Sequence, residues 1–92
     1  MTFTWQRTFP DTHRDFVAEE AGRHVGRIKR VAGGPQDGWW MWTAPGVQRE
    51  HEADGVRPLN GMEATRDEAI EALAAAWGRA KAWSARTGLP LA

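Results

Sequence analysis

The sequence contains no cysteine and no tyrosine, and its only serine is Ser84. Without cysteine, disulfides and thiolate metal sites are excluded. Small extracellular domains usually need such cross-links, so we expect a cytoplasmic protein. The N-terminus has no signal-peptide apolar region, and no apolar run approaches the roughly 20 residues of a membrane span, so no membrane association is expected.

A charge excess of either sign is also lacking. The 12 basic residues balance the 12 acidic ones, giving a formal net charge of zero. No overall field therefore steers the protein towards nucleic acid or a membrane surface, and either role would need a local patch. The 92 residues correspond to one domain spanning 1–92.

Tryptophan, in contrast, is abundant, with six residues in this short chain. Each indole removes roughly 150–250 Å² from water when it is buried. A domain of this size buries only about two-thirds of its unfolded surface, so we interpret the tryptophans first as core.

Three stretches of sequence predict β-structure. Residues 3–9 alternate apolar and polar side chains, which is typical of a strand with one buried face. Residues 15–32 predict a hairpin with a type II′ turn at Gly22-Arg23. A β-bulge at Gly26 is expected there, because Val25 and Ile28 would otherwise lie on opposite faces. Residues 39–43 form a short aromatic strand after the turn cluster at 33–38.

The C-terminal part predicts a helix over 66–86. Thr65 and Glu68 have the spacing of a capping box at its start, and Gly88 followed by Pro90 ends it. At about 100° per residue, one face of this helix is apolar. That face consists of Ala69, Ile70, Leu73, Ala76, Trp77, Ala80 and Trp83.

The predicted fold class is α+β: a three-stranded, or four-stranded, antiparallel meander with one long C-terminal helix packed on one face. Residues 47–54 form either the fourth, edge strand or a loop, and the conformation of 45–64 is left open. The face of the sheet away from the helix has nothing predicted to cover it. We therefore expect function on that open face.

The leading site hypothesis is a surface of basic and aromatic residues. Cations beside exposed rings are typical of single-stranded nucleic-acid binding, since the charges follow phosphates and the rings stack on bases. The alternative is a solvated basic strand whose neighbouring tryptophans face the helix. Strand alternation allows either Trp40 and Trp42 or Trp39 and Met41 to face outwards. The predicted surface is Arg23, Arg27, Lys29, Arg30, Trp40 and Trp42, with His24 in the same stripe.

No catalytic residue, metal site or cofactor is predicted. Glu50, His51 and Glu52 with Asp54 combine carboxylates and imidazole, but adjacent strand residues point apart and no further histidine has ligand spacing. Ser84 lies within the helix with no base beside it. A metal protein or enzyme is accordingly the least favoured of the three functional classes.

The outer face of the predicted helix carries small residues at Ala75, Gly78 and Ala82. Small side chains permit close helix–helix approach, so this ridge favours a homodimer or partner contact, whereas an alanine-rich surface without consequence is equally compatible. We expect a monomer or a weak homodimer.

Three motifs carry a resemblance: 22–28 (GRHVGRI), 34–42 (GPQDGWWMW) and 61–77 (GMEATRDEAIEALAAAW). The chain resembles a family of small bacterial and prophage proteins of unknown function, and this resemblance implies no activity. The strand–strand–strand–helix order is also similar to the arm-type DNA-binding domains of phage-like integrases, at the level of fold only. The chain departs from those domains in its neutral charge.

The functional expectation is thus a non-enzymatic binding or interaction domain that uses the open face for an unidentified protein partner. Nucleic-acid binding through the same surface is the alternative.

Overall fold

The computed structural model describes residues 3–10, 14–51 and 55–91. Its strands are β1 (Thr4–Arg7), β2 (Asp15–Glu20), β3 (Arg23–Arg30), β4 (Trp40–Thr43) and β5 (Asn60–Glu63). All neighbours pair antiparallel in the order β1-β2-β3-β4-β5, which is a simple meander. One helix, α1 (Arg66–Thr87), follows the sheet. The predicted α+β class with a C-terminal helix is confirmed.

The predicted number of strands is wrong, because the described sheet has five. Of the two alternatives left open for 47–54, the edge strand is not found in 47–51, which form a loop with a short 3₁₀ helix at Arg49–His51, while 52–54 lie outside the described residues. The last strand, Asn60–Glu63, reads Asn-Gly-Met-Glu. With one apolar side chain and a glycine, this segment has neither the composition nor the alternation that predicts a strand.

The hairpin between β2 and β3 differs from its prediction by one residue at the turn. Ala21 and Gly22 have φ angles of 52° and 81°, so both central residues are left-handed, as a type I′ turn requires. Arg23 already pairs with Glu20 inside the ladder, which excludes the predicted type II′ turn at Gly22-Arg23.

A bulge in β3 is confirmed, but its extra residue is Val25 and not the predicted Gly26, which pairs with Ala18. Ala18 pairs with Gly26 and Glu19 pairs with His24, which leaves Val25 as the extra residue. Because of this insertion, Val25 and Ile28 are both buried despite their odd spacing.

The helix begins at the predicted residue and ends one residue later than predicted, at Thr87. The Thr65 hydroxyl accepts from the Glu68 amide at 3.2 Å and donates to Glu68 Oε1 at 2.9 Å. At the other end, Gly88 is left-handed with φ of 75°, and its amide donates to the Ser84 carbonyl. Six of the seven residues on the predicted apolar face are buried, and the seventh, Ile70, is half-buried.

The helix packs across β3, β4 and β5 and leaves β1 and β2 beside it. Trp42, Trp77 and Trp83 are buried in the core, which agrees with their interpretation as core residues. A hydrogen bond from Trp77 Nε1 to Glu20 Oε1 (3.1 Å) and another from Lys81 Nζ to the same oxygen (3.0 Å) tie the helix to β2. Both hydrogen bonds lower the pKa of Glu20, that from Trp77 more strongly.

The direction of the tryptophan strand decides what the open face presents. Trp42 pairs with Ile28 and Gly61, is 3% exposed, and donates from Nε1 to Glu63 Oε2 at 3.0 Å. Since alternate residues share a face, Trp40 and Trp42 lie on the side of the sheet that carries the helix. Met41 and Thr43 therefore lie on the open face.

Candidate binding surface on the open face

The six residues predicted to form one surface are divided between the two faces of the sheet. Arg27 and Lys29 lie on the open face, in cross-strand rows with Thr43 and Met41 respectively. Trp40, Trp42 and Arg23 lie on the helix side, where the Arg23 guanidinium is 6.0 Å from the Trp77 ring centroid. Arg30, the last residue of β3, pairs with Trp40 and so has the helix-side position in the alternation. The prediction that Trp40 or Trp42 faces outwards beside the basic residues of β3 is therefore wrong, because both indoles pack on the helix side with the core.

A groove forms where the end of β3 meets the start of β2. Its volume is about 770 Å³ and its walls are predominantly basic. We call it the basic groove; it is lined by Phe9, Arg14, Asp15, Arg27, Lys29, Arg30 and Ala32. The structure thus brings three of the predicted residues (Arg27, Lys29 and Arg30) together.

A buried carboxylate organises one wall of this groove. Asp15 is 6% exposed and accepts from Arg27 Nε at 2.7 Å and from the Thr8 hydroxyl at 2.6 Å. Arg27 Nη2 donates to the second carboxylate oxygen, which makes the ion pair bidentate. Arg27 is therefore primarily a structural residue that fixes β2 to β3 and only half-exposes its guanidinium.

This ion pair makes stability depend on pH. The Arg27 hydrogen bonds hold the pKa of Asp15 below its ordinary value of 3.8, against the opposing effect of burial. A carboxylate whose folded pKa is depressed stabilises the fold above its unfolded pKa, and this contribution is lost as pH falls through the folded value.

We expect Asp15→Asn to lower the free energy of unfolding by about 1–2 kcal/mol at pH 7, since the pair is only partly exposed. Urea unfolding at pH 7 and below pH 3 measures this difference. The difference in the free energy of unfolding between wild type and variant should become smaller below about pH 4. A difference that is unchanged in acid would mean that the carboxylate charge contributes nothing.

Two cations of the groove are available to a ligand. Arg14 and Lys29 are exposed, and within the described part of the chain neither has an ion-pair partner. The groove holds four cationic side chains and a single carboxylate, which is already bound to Arg27. A neutral protein thus concentrates an excess of positive charge at one site.

Two exposed aromatic rings flank the basic residues. Phe9 is 52% exposed, with the Arg27 guanidinium 6.0 Å from its ring centroid. On the other side of β3, Trp39 is 40% exposed, and its carbonyl accepts from the Val31 amide at 2.7 Å. The open face therefore does combine cations with accessible rings, although they are not the predicted rings.

The sequence did not single out Arg14 or Phe9 as site residues. Arg14 lies in the polar connection between β1 and β2, where no periodicity places a side chain on either face. Phe9 ends the strand predicted over 3–9, whose alternation puts it on the buried face, but β1 already ends at Arg7 and Phe9 is exposed. The signal that could have found Arg14 is its position directly before Asp15, because the first residues of β2 lie opposite the cationic end of β3.

The remaining sequence candidates form no site. In 3–10, 14–51 and 55–91 no three His, Cys, Asp or Glu side chains are grouped to hold a metal ion. Glu52 and Asp54 lie outside the described residues, and the His51 ring packs 5.4 Å from that of Trp83. Over the same ranges, no helix has the length and apolarity to cross a bilayer.

Comparison with known proteins gives no relative: the chain matches no protein-family model, no curated protein and no solved structure. The resemblance to small bacterial and prophage proteins therefore stays a prediction, and function has to be argued from the chain's own surface.

Proposed function

We propose that this chain is a non-enzymatic binding domain whose open sheet face binds a single strand of nucleic acid. The observation that carries the proposal is the basic groove, where Arg14 and Lys29 have no ion-pair partner among the described residues and the exposed Phe9 forms part of the wall. A second exposed ring, Trp39, follows on the neighbouring chain segment that is hydrogen-bonded to Val31. Cations along a groove bind the phosphates of a strand. Exposed aromatic rings stack on its unpaired bases, and this stacking tolerates any base sequence. Both are present here.

A single strand suits this surface better than a duplex. The cations occupy one end of β3 rather than a long stripe, and Phe9 and Trp39 offer ring faces that a paired base, stacked within a helix, does not reach. The small charge excess also favours a short contact of a few phosphates, so binding should be weak at physiological salt.

The other half of the open face favours a protein partner. Met41 and Met62 pair across β4 and β5 and are half-buried, next to the exposed Trp39. Apolar side chains grouped on an open sheet face are a candidate contact for another protein. This partner was the leading expectation from the sequence, and the experiment below separates it from a nucleic-acid strand.

The test is an amide NMR titration of ¹⁵N-labelled protein with a short single-stranded oligothymidylate and with a duplex of equal length. We expect the single strand to shift amides at 14–15, 27–32 and 39–41, and these shifts to shrink as salt is raised. The duplex should produce smaller shifts at the same positions.

Two results would contradict the proposal. An absence of shifts at low salt would remove nucleic acid as the ligand, and the apolar half of the face would then become the primary candidate. Shifts confined to the amides of α1 would instead indicate that the strand binds on the helix side of the protein.

A further inference from the structure

A small cavity lies on the other side of the sheet, at the N-terminal turn of the helix. It has a volume of about 170 Å³ and is lined by Trp5, Phe16, Ile28, Arg66 and Ile70. It exists because α1 covers β3 to β5 and leaves the apolar side chains of β1 and β2 beside its first turn. This cavity is separate from the open face and does not depend on the function proposed for it.

The walls of the cavity are apolar and supported from behind. Ile28 is fully packed in the core, while Trp5, Phe16 and Ile70 are half-buried at the cavity surface. Phe3 packs edge-on against Trp5 with ring centroids 5.9 Å apart, which holds the indole in place. An apolar cavity of about 150 Å³ accommodates one benzene ring, so this one has room for a single ring or a short alkyl chain.

One charged residue, Arg66, contributes to the lining of the cavity. Arg66 is the first residue of the helix and is exposed. Within the described ranges its guanidinium has no hydrogen-bond or ion-pair partner, and the carboxylates of Asp67 and Glu68 do not line the cavity. A cavity with apolar walls and one arginine in its lining is complementary to a carboxylate attached to a small apolar body.

We propose that this cavity binds a small apolar carboxylic acid, with its ring or chain against Trp5, Phe16 and Ile70 and its carboxylate on Arg66. The size of the cavity limits the ligand to about one ring. The positive end of the helix dipole acts in the same direction as Arg66.

The test uses three probes on the ¹⁵N-labelled protein. Phenylacetate has both ring and charge, 2-phenylethanol has the ring alone, and acetate has the charge alone. We expect phenylacetate to shift the amides of Trp5, Phe16 and Ile70 saturably and to bind about threefold to fivefold more tightly than 2-phenylethanol, as an exposed ion pair allows. Acetate should leave these amides unshifted.

Two variants locate the binding. Arg66→Gln should bring the affinity for phenylacetate down to that for 2-phenylethanol without changing the latter. Ile70→Trp, which fills the cavity and keeps the guanidinium, should abolish binding of both. Circular dichroism establishes that each variant is folded.

The proposal is overturned if phenylacetate produces no saturable shift, if the shifts lie elsewhere, or if the preference for the acid survives in Arg66→Gln. It is equally overturned if translational diffusion shows a dimer and phenylacetate shifts none of the cavity amides, because a second copy would then cover the cavity.

Discussion

Gly26→Ala should lower the free energy of unfolding by about 3 kcal/mol, which is a large fraction of the stability of a domain this size. A Cβ at this position would lie 2.5 Å from Leu73 Cδ1 and would also overlap the Thr43 carbonyl oxygen. The leucine could rotate, but the carbonyl belongs to the paired backbone of β4 and cannot yield without breaking the ladder. Thermal unfolding should show Tm reduced by roughly 15 °C.

The same chemical change elsewhere in the chain supplies the control. Gly78 lies in the middle of the helix, and a Cβ there would have nothing within 4 Å. Gly78→Ala should therefore stabilise the protein by about 1 kcal/mol, through helix propensity alone. A shift of Tm in the same direction for both variants would contradict the close packing of Leu73 in α1 and the Thr43 carbonyl against Gly26.

Reversing the two available cations of the basic groove should nearly abolish binding of a nucleic-acid strand. We expect the double variant Arg14→Glu and Lys29→Glu to weaken binding of oligothymidylate about 100-fold at low salt, since each reversal replaces attraction by repulsion. The slope of log affinity against log salt should flatten by about 1.4, the loss of two phosphate contacts. Fluorescence anisotropy of a labelled oligonucleotide measures both quantities.

Arg27 is deliberately left unchanged in this variant, because its bond to Asp15 would confound binding with folding. The matched control is the double variant Arg66→Glu and Arg86→Glu, at the two ends of α1 on the helix side. It has the same net charge and should retain most of the affinity. Equal weakening by both variants would indicate that only overall charge acts, and the groove would lose its role.

The elements that the sequence predicted well are those whose signals are local. The helix is specified by its caps at Thr65 and Gly88 and by a complete apolar face. The bulge was predictable because Val25 and Ile28 cannot both be buried in a regular strand. Strand β5 was not predictable, since Asn60–Glu63 pairs with β4 through its backbone and carries almost no side-chain pattern.

The site was predicted only in part for a related reason. The cations of β3 predicted that Arg27 and Lys29 lie on the open face. The four residues 39–42 are all apolar, so their sequence has no polar–apolar alternation that predicts which of them face the helix. Their direction is set by the fit of Trp42 over Gly61, where a Cβ would lie 2.7 Å from Nε1 of the indole. That contact joins residues distant in sequence.

The position of the helix after the five described strands has a consequence for synthesis. Val25, Ile28 and Trp42 are buried against a helix whose core-facing residues extend to Trp83. During translation the strands emerge first, so the sheet exposes an apolar face until residues near 83 have left the ribosome. The core around Val25, Ile28 and Trp42 is therefore completed only when α1 docks, and α1 is the last of the described elements to be synthesised.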